Sequence, residues 1–353
     1  MGNRCTETWR LYMKTEEYLN ELRTVLVAAD ECEADIVAAE QYAENLMQLG
    51  MPVIFDLHHF AKLVGKEARD IGNMMMHQED FFYRQVQIEK KHGGYRTLDI
   101  PAMNLRNIQK WILKNILYQI SVSEHACGFC KKRSIVTNAE RHVGKECVIN
   151  VDIKDFFPSV HGDQIFKIFY YYGYTTEVSY LLSRLCTYRD YLPQGAPTSP
   201  YLSNIVCLKL DKRLSRLAKS YQAEYSRYAD DITFSGNAGI KAMLPIVEGI
   251  VNEEGYLLNK DKTRIAYKHQ RQEVTGLLVN GTTVRVSKQY LKKFSQEIYY
   301  CKKFGVRSHM EHIHCEKRFF RDHMYGKAYF IQMVDRDMGK RYFAELEQID
   351  WES

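Results

Sequence analysis

The sequence predicts an α+β protein with a helical N-terminal extension and an antiparallel β-hairpin. An almost wholly apolar segment, residues 147–151, and an alternating segment, residues 225–234, have the composition of strands, and the second folds back through a two-residue turn. Elsewhere apolar residues recur mainly at helical spacing. At 353 residues the chain is long enough for several packed subdomains.

The N-terminal segment is predicted to be helical and acidic. Across residues 8–49 apolar side chains recur at helical spacing, and Gly50 and Pro52 close the segment, which predicts two helices. Residues 1–60 carry 11 acidic and 4 basic side chains, so this surface repels phosphate. We therefore expect residues 1–52 to bind a protein partner or a second copy of the chain.

A further helix is predicted around Phe60 and Leu63. Residues 90–96 then combine basic side chains with two glycines, which predicts a turn between short strands where the backbone can approach a phosphate. Residues 96–101 have the composition of a strand, and residues 105–120 place apolar side chains on one helical face. This part of the chain therefore predicts a hairpin followed by a helix.

Three aspartates stand at the ends of predicted strands. Asp152 follows the apolar strand, and Asp230 and Asp231 lie at the tip of the predicted hairpin. Because burying an unpaired carboxylate costs several kcal/mol, we expect Asp152 at a strand mouth, beside a cation or on a metal. Two divalent ions about 3.5–4 Å apart activate a 3′-hydroxyl and stabilise leaving pyrophosphate when carboxylates from two segments hold them. Magnesium, which prefers oxygen ligands, is the expected ion, with manganese as a substitute.

The composition argues against several classes of protein. Hydrophobic residues make up 45% of the chain, as in a folded protein. No apolar run approaches the ~18 residues that span a bilayer, so we expect a cytoplasmic protein without membrane contact. Nine scattered cysteines favour reduced thiols. Cys127 and Cys130 form a close pair, but a zinc site there would need two ligands from distant residues, so simple packing is favoured.

The C-terminal part of the chain has the opposite charge to the N-terminal part. Residues 282–334 carry 11 Lys or Arg against 4 Asp or Glu. Such a surface is suited to following a nucleic-acid backbone, because basic side chains neutralise phosphates. The alternative is an ordinary solvated helix face, which composition leaves open.

In order and spacing, the motifs resemble those of the reverse-transcriptase family. An aspartate pair at a hairpin tip is by itself common turn chemistry, and the loop at 192–200 before a predicted helix is by itself a proline turn. Chance matches would not keep the order of six blocks. The resemblance extends over about residues 60–329. The blocks are residues 94–96 with 108–109, 128–129 with 133–134, 152–157, 194–195 with 199–200, 228–231 and 258–264.

Within that family the chain most resembles bacterial retron enzymes, in which similar elements are implicated in handling the enzyme's own noncoding RNA. The residues that match these elements are Asn138, His142, Val274, Thr275 and Gly276. Without the other blocks, Asn138 to His142 would be interpreted as a helix turn with a satisfied histidine. Cys127 stands where relatives often have histidine, and Lys132 where they often have glycine. These departures concern template contact rather than the reaction.

The resemblance implies roles for individual residues. Asp152, Asp230 and Asp231 match the metal-binding triad of the family. Phe157 matches the aromatic residue that packs under the sugar and disfavours a ribose 2′-hydroxyl, which implies the use of dNTPs. The other residues expected at the nucleotide are Arg96 at the triphosphate, Gln194 and Gly195 against nucleotide and template, and Lys262 near pyrophosphate. Contacts to the RNA backbone are expected from Lys288, Lys292 and Lys293.

The fold that the resemblance implies is a right-hand polymerase. The expected parts are an acidic helical extension (1–52), fingers (53–146, with a further insertion near 163–190), a palm with the antiparallel sheet (147–281) and a basic helical thumb (282–353).

The implied activity is self-primed synthesis, in which a guanosine 2′-hydroxyl of a structured noncoding RNA starts the DNA strand. The product would be branched, RNA-linked DNA within an antiphage system that has a separately encoded effector protein. Host ribonuclease H is expected to remove the template. One alternative is a group II intron-like or other defence-associated reverse transcriptase. Another is a catalytically silent RNA-binding scaffold, which has no need for three mutually repelling carboxylates.

Overall fold

The computed structural model describes residues 15–77, 81–89, 93–314 and 319–352. The chain divides into two compact units. The first unit consists of residues up to 124, 154–212 and 253–256, and the second of residues 125–153, 213–252 and 257 onwards. Two parts of the predicted elements, residues 8–14 of the first helical stretch and residues 90–92 of the basic turn, lie outside the described residues.

Helices account for most of the regular structure. In chain order the helices are α1 (Thr15–Ala28), α2 (Glu33–Gln48), α3 (Leu57–Leu63), α4 (Ala68–Met76), α5 (Met103–Asn115), α6 (Ile135–Glu140), α7 (Gly162–Tyr171), α8 (Thr176–Cys186), α9 (Ser199–Val206), α10 (Leu208–Ser220), α11 (Leu244–Glu253), α12 (Lys288–Phe304), α13 (Val306–His312), α14 (Phe320–Val334) and α15 (Arg336–Glu347). The strands are β1 (Tyr83–Glu89), β2 (Tyr95–Pro101), β3 (Cys147–Asp152), β4 (Glu224–Tyr228), β5 (Asp231–Gly236), β6 (Arg264–Tyr267), β7 (Glu273–Val274) and β8 (Leu277–Leu278).

In the first unit, the predicted N-terminal helices are present as α1 and α2. Arg23 of α1 forms ion pairs with Glu33 and, at 2.9 Å, with Glu40, so part of the acidic surface is neutralised within the extension itself. α2 buries Ile36 and Leu46, whereas α1 buries no residue. The described part of the extension is therefore held to the unit mainly through its second helix.

The predicted hairpin and helix are also present in the first unit. β1 and β2 pair antiparallel from Tyr83 opposite Pro101 to Glu89 opposite Tyr95. The helix that was predicted to reach residue 120 ends earlier, as α5, and a short 3₁₀ turn at Leu117–Gln119 follows it. α9 begins at the predicted residue, Ser199, with a proline in its first turn, where the missing N–H costs no helical hydrogen bond.

The second unit is built around a four-stranded sheet with strand order β4-β5-β3-β6. Each neighbouring pair is antiparallel. β3 is hydrogen bonded on both sides, and each of its residues except Asn150 is buried. Because side chains on both faces of β3 are buried, its sequence is nearly continuously apolar rather than alternating.

The C-terminal helices of the second unit have a core of their own, formed by residues such as Phe294, Ile298, Met324 and Leu346. α15 approaches α14 closely at Gly339, where an added Cβ would lie 2.3 Å from the Cβ of Gln332. Glycine is therefore required at this crossing, because any side chain would push the two helices apart.

The compact units cut across the predicted subdomains. Residues 125–146, predicted as fingers, belong to the second unit, and residues 154–162 and 191–212, predicted as palm, belong to the first. The boundaries of fingers, palm and thumb therefore remain a prediction. Among the described residues, no helix combines the length and apolar character that crossing a membrane requires.

Candidate active site

Asp230 and Asp231 lie at the end of the β4–β5 hairpin, as predicted. Tyr228 and Asp231 are paired residues, so the connecting loop consists of Ala229 and Asp230. Ala229 has a φ of +58°, in the left-handed region that residues with a side chain seldom adopt. The neighbouring strand end fixes this loop, because the N–H of Ile153 donates to the carbonyl of Asp230 over 3.0 Å.

The β3–β5 register places Asp152 directly opposite Asp231. Residues opposite each other in an antiparallel pair have Cβ atoms about 4.5–5.5 Å apart, and like charges in such positions destabilise the sheet. The backbone on the other side of Asp152 is also fixed, since the N–H of Asn259 donates to the Asp152 carbonyl over 2.7 Å. The two carboxylates are thus held together by the backbone despite their repulsion.

Lys262 supplies the positive charge beside this pair. Its Nζ lies 2.8 Å from Oδ1 and 3.0 Å from Oδ2 of Asp152. The Asp152 side chain is only 8% exposed, whereas that of Lys262 is 57% exposed. The hydrogen bond to Asp152, with further contributions from the charges of Asp152, Asp230 and Asp231, raises the pKa of Lys262. Lys262, which was predicted near pyrophosphate, therefore pairs with Asp152, and the rest of its side chain is exposed to solvent.

The pKa of Asp231 is raised by its surroundings. Desolvation of its carboxyl group, followed by the negative charges of Asp230 and Asp152, raises its pKa to about 6, and Lys262 opposes that shift. Desolvation disfavours the charged form of an acid, and so does a nearby charge of the same sign. In the absence of further cations, Asp231 is therefore partly protonated just below neutral pH.

The donor set fits a divalent cation. Asp152, Asp230 and Asp231 bring carboxylate oxygens, which magnesium prefers, to one end of the sheet, and a cation there would relieve the repulsion that raises the pKa of Asp231. Within the described residues, no group of three or more His, Cys, Asp or Glu side chains is arranged to hold a metal. Magnesium is usually bound by one or two carboxylates together with substrate phosphates.

The segment before α6 forms backbone hydrogen bonds with β4 of the aspartate hairpin. The N–H of Arg227 donates to the His125 carbonyl over 2.9 Å, and the N–H of Cys127 donates to the Arg227 carbonyl over 2.7 Å. At Gly128 an added Cβ would lie 2.8 Å from the backbone nitrogen of Ala229. The predicted Gly-Phe block therefore lies against the aspartate loop, and its glycine is required by this close approach.

Arg227 supports the candidate site and was missed by the sequence analysis. Its side chain is fully buried, and its Nη1 donates to the Ala229 carbonyl over 3.1 Å. A buried guanidinium requires hydrogen-bond partners, and here one partner is the strained loop that carries Asp230. The sequence signal that could have indicated this role is an arginine within a strand-like segment, three residues before the Asp pair.

Asn138 and His142 lie inside the second unit rather than on its surface. His142 is completely buried, with its Nδ1 at 2.7 Å from the Ser235 hydroxyl and its Nε2 at 2.8 Å from the Ser226 hydroxyl. Ser226 belongs to β4 and Ser235 to β5, so this ring connects the two strands of the aspartate hairpin. Asn138 is 1% exposed. In this structure neither side chain reaches the surface for the expected RNA contact, and their positions are those of supporting residues.

Val274, Thr275 and Gly276 form a second supporting element. Val274 pairs with Leu277, and the loop residues Thr275 and Gly276 have φ values of +48° and +84°. Two successive positive φ values are the requirement of a tight hairpin turn of the primed type. Val274 is completely buried, and the Thr275 hydroxyl donates to the Ile135 carbonyl over 3.2 Å. Of the three residues, only Gly276 is exposed.

The other predicted nucleotide-binding residues belong to the first unit. The N–H of Asp99 donates to the Gln194 carbonyl over 2.7 Å, and a Cβ on Gly195 would lie 2.7 Å from the Asp99 carbonyl oxygen. The Gln194 loop is therefore packed against β2, the strand whose exposed Arg96 was predicted to meet the triphosphate. Phe157 is half-buried, with its ring 5.5 Å from that of Phe156.

The predicted RNA-backbone lysines lie together on one helix. Lys288, Lys292 and Lys293 belong to α12 and are exposed. Their exposure is compatible with both the predicted phosphate contacts and the alternative of a solvated helix face.

Comparison with known proteins gives one matching family. Residues 88–284 match the sequence profile described as reverse transcriptase (RNA-dependent DNA polymerase). The chain is 33% identical over 343 residues to the retron Ec86 reverse transcriptase of Escherichia coli, covering 95% of this chain and 96% of that protein. It is 32% identical to the retron Mx162 reverse transcriptase of Myxococcus xanthus, covering 91% and 73%.

Among solved structures, the chain is similar to a telomerase from Candida albicans in complex with the TWJ fragment of telomeric RNA. The sequence identity is 12%, the TM-score is 0.43, and the match covers 76% of this chain and 59% of that one.

Replacing Gly128 by alanine should destabilise the protein, because the new Cβ collides with the backbone of the aspartate loop. Overpacking of this kind costs about 1–3 kcal/mol in the free energy of unfolding. The matched control is Gly249→Ala in α11, where no atom lies within 4 Å of the added Cβ and alanine should stabilise the helix by about 0.5–1 kcal/mol. Urea unfolding measures both changes, and equal effects would contradict the proposed collision.

Replacing His142 by phenylalanine should leave the Ser226 and Ser235 hydroxyls without their partner. Each unsatisfied buried group costs about 1–3 kcal/mol, so the free energy of unfolding at neutral pH should fall by roughly 2–5 kcal/mol. Adding Ser226→Ala and Ser235→Ala should recover part of that loss, because no buried polar group then remains unpaired. A triple variant no more stable than His142→Phe alone would refute this account.

Replacing Asp231 by asparagine should stabilise the metal-free protein at pH 7.5. The folded-state pKa of Asp231, about 6, lies above its ordinary value of 3.8, so the wild type loses stability as the pH rises through this window. The advantage of the variant should therefore shrink when unfolding is measured at pH 5. Asp163→Asn is the control with the opposite sign, since a hydrogen bond from Lys167 lowers the pKa of Asp163. A variant less stable than wild type at pH 7.5 would contradict the electrostatic interpretation.

Proposed function

The chain belongs to the reverse transcriptase family of RNA-directed DNA polymerases, among the retron enzymes, and on that premise we propose that it copies a cognate structured noncoding RNA into DNA. The observation that carries the proposal is the β3–β5 register, which sets Asp152 against Asp231 with Asp230 on the adjoining loop. Carboxylates from two chain segments at one sheet end are what metal-assisted nucleotidyl transfer requires.

Asp152 and Asp230 would bind two Mg²⁺ ions, or Mn²⁺ as a substitute, with Asp231 adding negative charge or ligating for part of the time. When bound, such ions lower the pKa of the attacking 3′-hydroxyl and stabilise the leaving pyrophosphate. The chain's own contribution is to hold the carboxylates close through the β3–β5 backbone pairing before any ligand arrives. Preorganisation of this kind costs no reorganisation at the moment of reaction.

Lys262 would bind the phosphates of the incoming nucleotide. Its ammonium is paired with Asp152, and its raised pKa keeps it charged across the physiological range. Its stem is exposed, so the ammonium is able to move from the carboxylate to a phosphate. As negative charge develops on pyrophosphate, a mobile cation at this position would stabilise it.

The remaining nucleotide contacts are assigned to the first unit. Arg96 would bind the triphosphate, Gln194 and Gly195 would lie against the nucleotide and template, and Phe157 would select dNTPs by excluding the ribose 2′-hydroxyl. Packing between the Gln194 loop and β2 supports a shared role for Arg96 and this loop. Because a guanidinium stays charged and offers several donors, Arg96 suits a triphosphate.

In this proposal the chain is a right-hand polymerase. The four-stranded sheet is the palm, and α12 to α15 are a thumb whose Lys288, Lys292 and Lys293 bind the RNA backbone. Asn138, His142 and Val274 act from beneath the sheet, and the exposed Gly276 turn is the part of these retron elements that is accessible to RNA.

The finer proposal concerns priming and biological role. A guanosine 2′-hydroxyl of the noncoding RNA would start synthesis and give branched, RNA-linked multicopy DNA, while host ribonuclease H removes the template. The system would protect the cell from phage through a separately encoded effector, and residues 1–52 would bind that effector or a second copy of the chain. The names of the retron relatives support this family-level assignment.

Two alternatives make different predictions. A non-retron reverse transcriptase, group II intron-like or defence-associated, would copy a supplied primer and template but give no branched product. A catalytically silent RNA-binding scaffold would make no DNA at all, and the shared negative charge around Asp231 counts against it because a scaffold has no use for this repulsion.

The test is to express the protein with its flanking genomic DNA and to analyse the purified nucleic acid for short DNA joined to RNA. Wild type and the matched control Asp163→Asn, an exposed aspartate on α7, should both give a product that debranching enzyme cleaves. Asp230→Asn with Asp231→Asn should give none, because the metal ligands are lost while the fold remains. Synthesis on a supplied primer without branched product would overturn the retron proposal, and product from the double variant would overturn the site assignment.

A further inference from the structure

A cavity separate from the aspartate site lies among the C-terminal helices. It has a volume of about 580 Å³, within the range of pockets that hold small organic molecules. α12, α13 and α14 contribute most of its wall. The residues that the following argument uses are Lys293, Glu297, Tyr300, His309, Phe320 and Lys327.

One wall of the cavity is a row of rings. The ring centroids of Tyr300 and His309 are 5.7 Å apart, and those of His309 and Phe320 are 6.3 Å apart. Tyr300 remains 39% exposed, whereas His309 and Phe320 are buried, so the ring that is open to a ligand is that of Tyr300. An exposed tyrosine ring is a surface on which unpaired nucleobases stack in proteins that bind single-stranded nucleic acid.

The charge around the cavity favours an anion. Glu297 is the acidic residue of the wall, and it is already neutralised by an ion pair with Lys327. Lys293 is exposed and forms no ion pair with a described residue. The surrounding residues 282–334 carry 11 basic and 4 acidic side chains, so the local potential attracts phosphate.

His309 provides a polar group with no partner inside the protein. Its side chain is almost completely buried, and its Nε2 has no hydrogen-bond partner among the described residues. Desolvation lowers the pKa of His309, so the ring is neutral at physiological pH and offers one nitrogen as donor and the other as acceptor. An unpaired buried polar atom is destabilising, which makes it a natural position for a ligand's hydrogen bond.

We propose that this cavity receives one unpaired nucleotide of the bound RNA, with its base stacked on Tyr300, a polar edge on His309 and its phosphate on Lys293. This inference rests on the proposed function, since the nucleotide belongs to the RNA that the enzyme binds. It adds base recognition to a helix otherwise assigned only to phosphate contacts. The enzyme would thereby hold a bulged or looped nucleotide at a fixed distance from the sheet of the second unit.

The test uses the full-length protein and a short single-stranded RNA that contains one 4-thiouridine, irradiated and mapped by mass spectrometry. Cross-links should fall on the cavity residues and should be reduced by competing UMP but not by ribose 5-phosphate, which has no base. Tyr300→Ala should lower the cross-link yield about fivefold or more, as loss of one stacking contact implies. Tyr299→Ala is the matched control, because the neighbouring tyrosine is exposed on the same helix but does not line the cavity.

A second variant separates the loss of the hydrogen bond to RNA from a loss of protein stability. His309→Phe keeps a ring in the row and removes the unpaired nitrogen, so the thermal stability should be unchanged or higher while the cross-link weakens. Equal losses for Tyr299→Ala and Tyr300→Ala, cross-links outside the cavity, or equal competition by ribose 5-phosphate would each overturn the inference. Primer extension on the same preparations keeps the two proposals apart. Active enzyme without the cavity cross-link refutes the pocket alone, and the cross-link without DNA synthesis refutes the polymerase proposal alone.

Discussion

The repulsion between two carboxylates that face each other across β3 and β5 is the constraint on which the catalytic unit depends. Asp152 and Asp231 are held opposite each other by backbone pairing, and desolvation together with the negative charges of Asp230 and Asp152 raises the pKa of Asp231. A sheet accepts such a pair only if other interactions hold its strands in register. Lys262 supplies part of the compensation by charge, and a bound cation would supply the rest.

Buried polar groups beneath the aspartate hairpin help to hold its strands and its loop in place. His142 connects β4 to β5 through two hydroxyls, and Arg227 donates to the loop that carries Asp230. Such groups are costly to bury unless every partner is present, so they tolerate few alternative arrangements of the hairpin. Both side chains thereby contribute to the geometry of the aspartate hairpin without contacting its carboxylates.

The C-terminal helices are held together by apolar packing rather than by buried polar groups. Their own apolar core leaves α12 free to present lysines outward, while aromatic rings and an unpaired imidazole line a cavity between α12 and its neighbours. A surface of lysines alone would bind any RNA with similar affinity, because phosphate contacts carry no sequence information. Combining the lysines with a cavity that accepts a nucleotide would let one helix both hold the RNA and select a particular nucleotide in it.

The sequence alone determined the features that depend on neighbouring residues. The apolar run of β3, the two-residue turn before Asp231 and the helix beginning at Ser199 follow from local composition, and the family followed from the order of the blocks. The tertiary structure decided the contacts between distant segments. Lys262 reaches Asp152 across 110 positions, and His142 reaches Ser235 across 93. No periodicity or turn preference encodes such a pairing, because whether a histidine is buried or exposed depends on which strands pack over it.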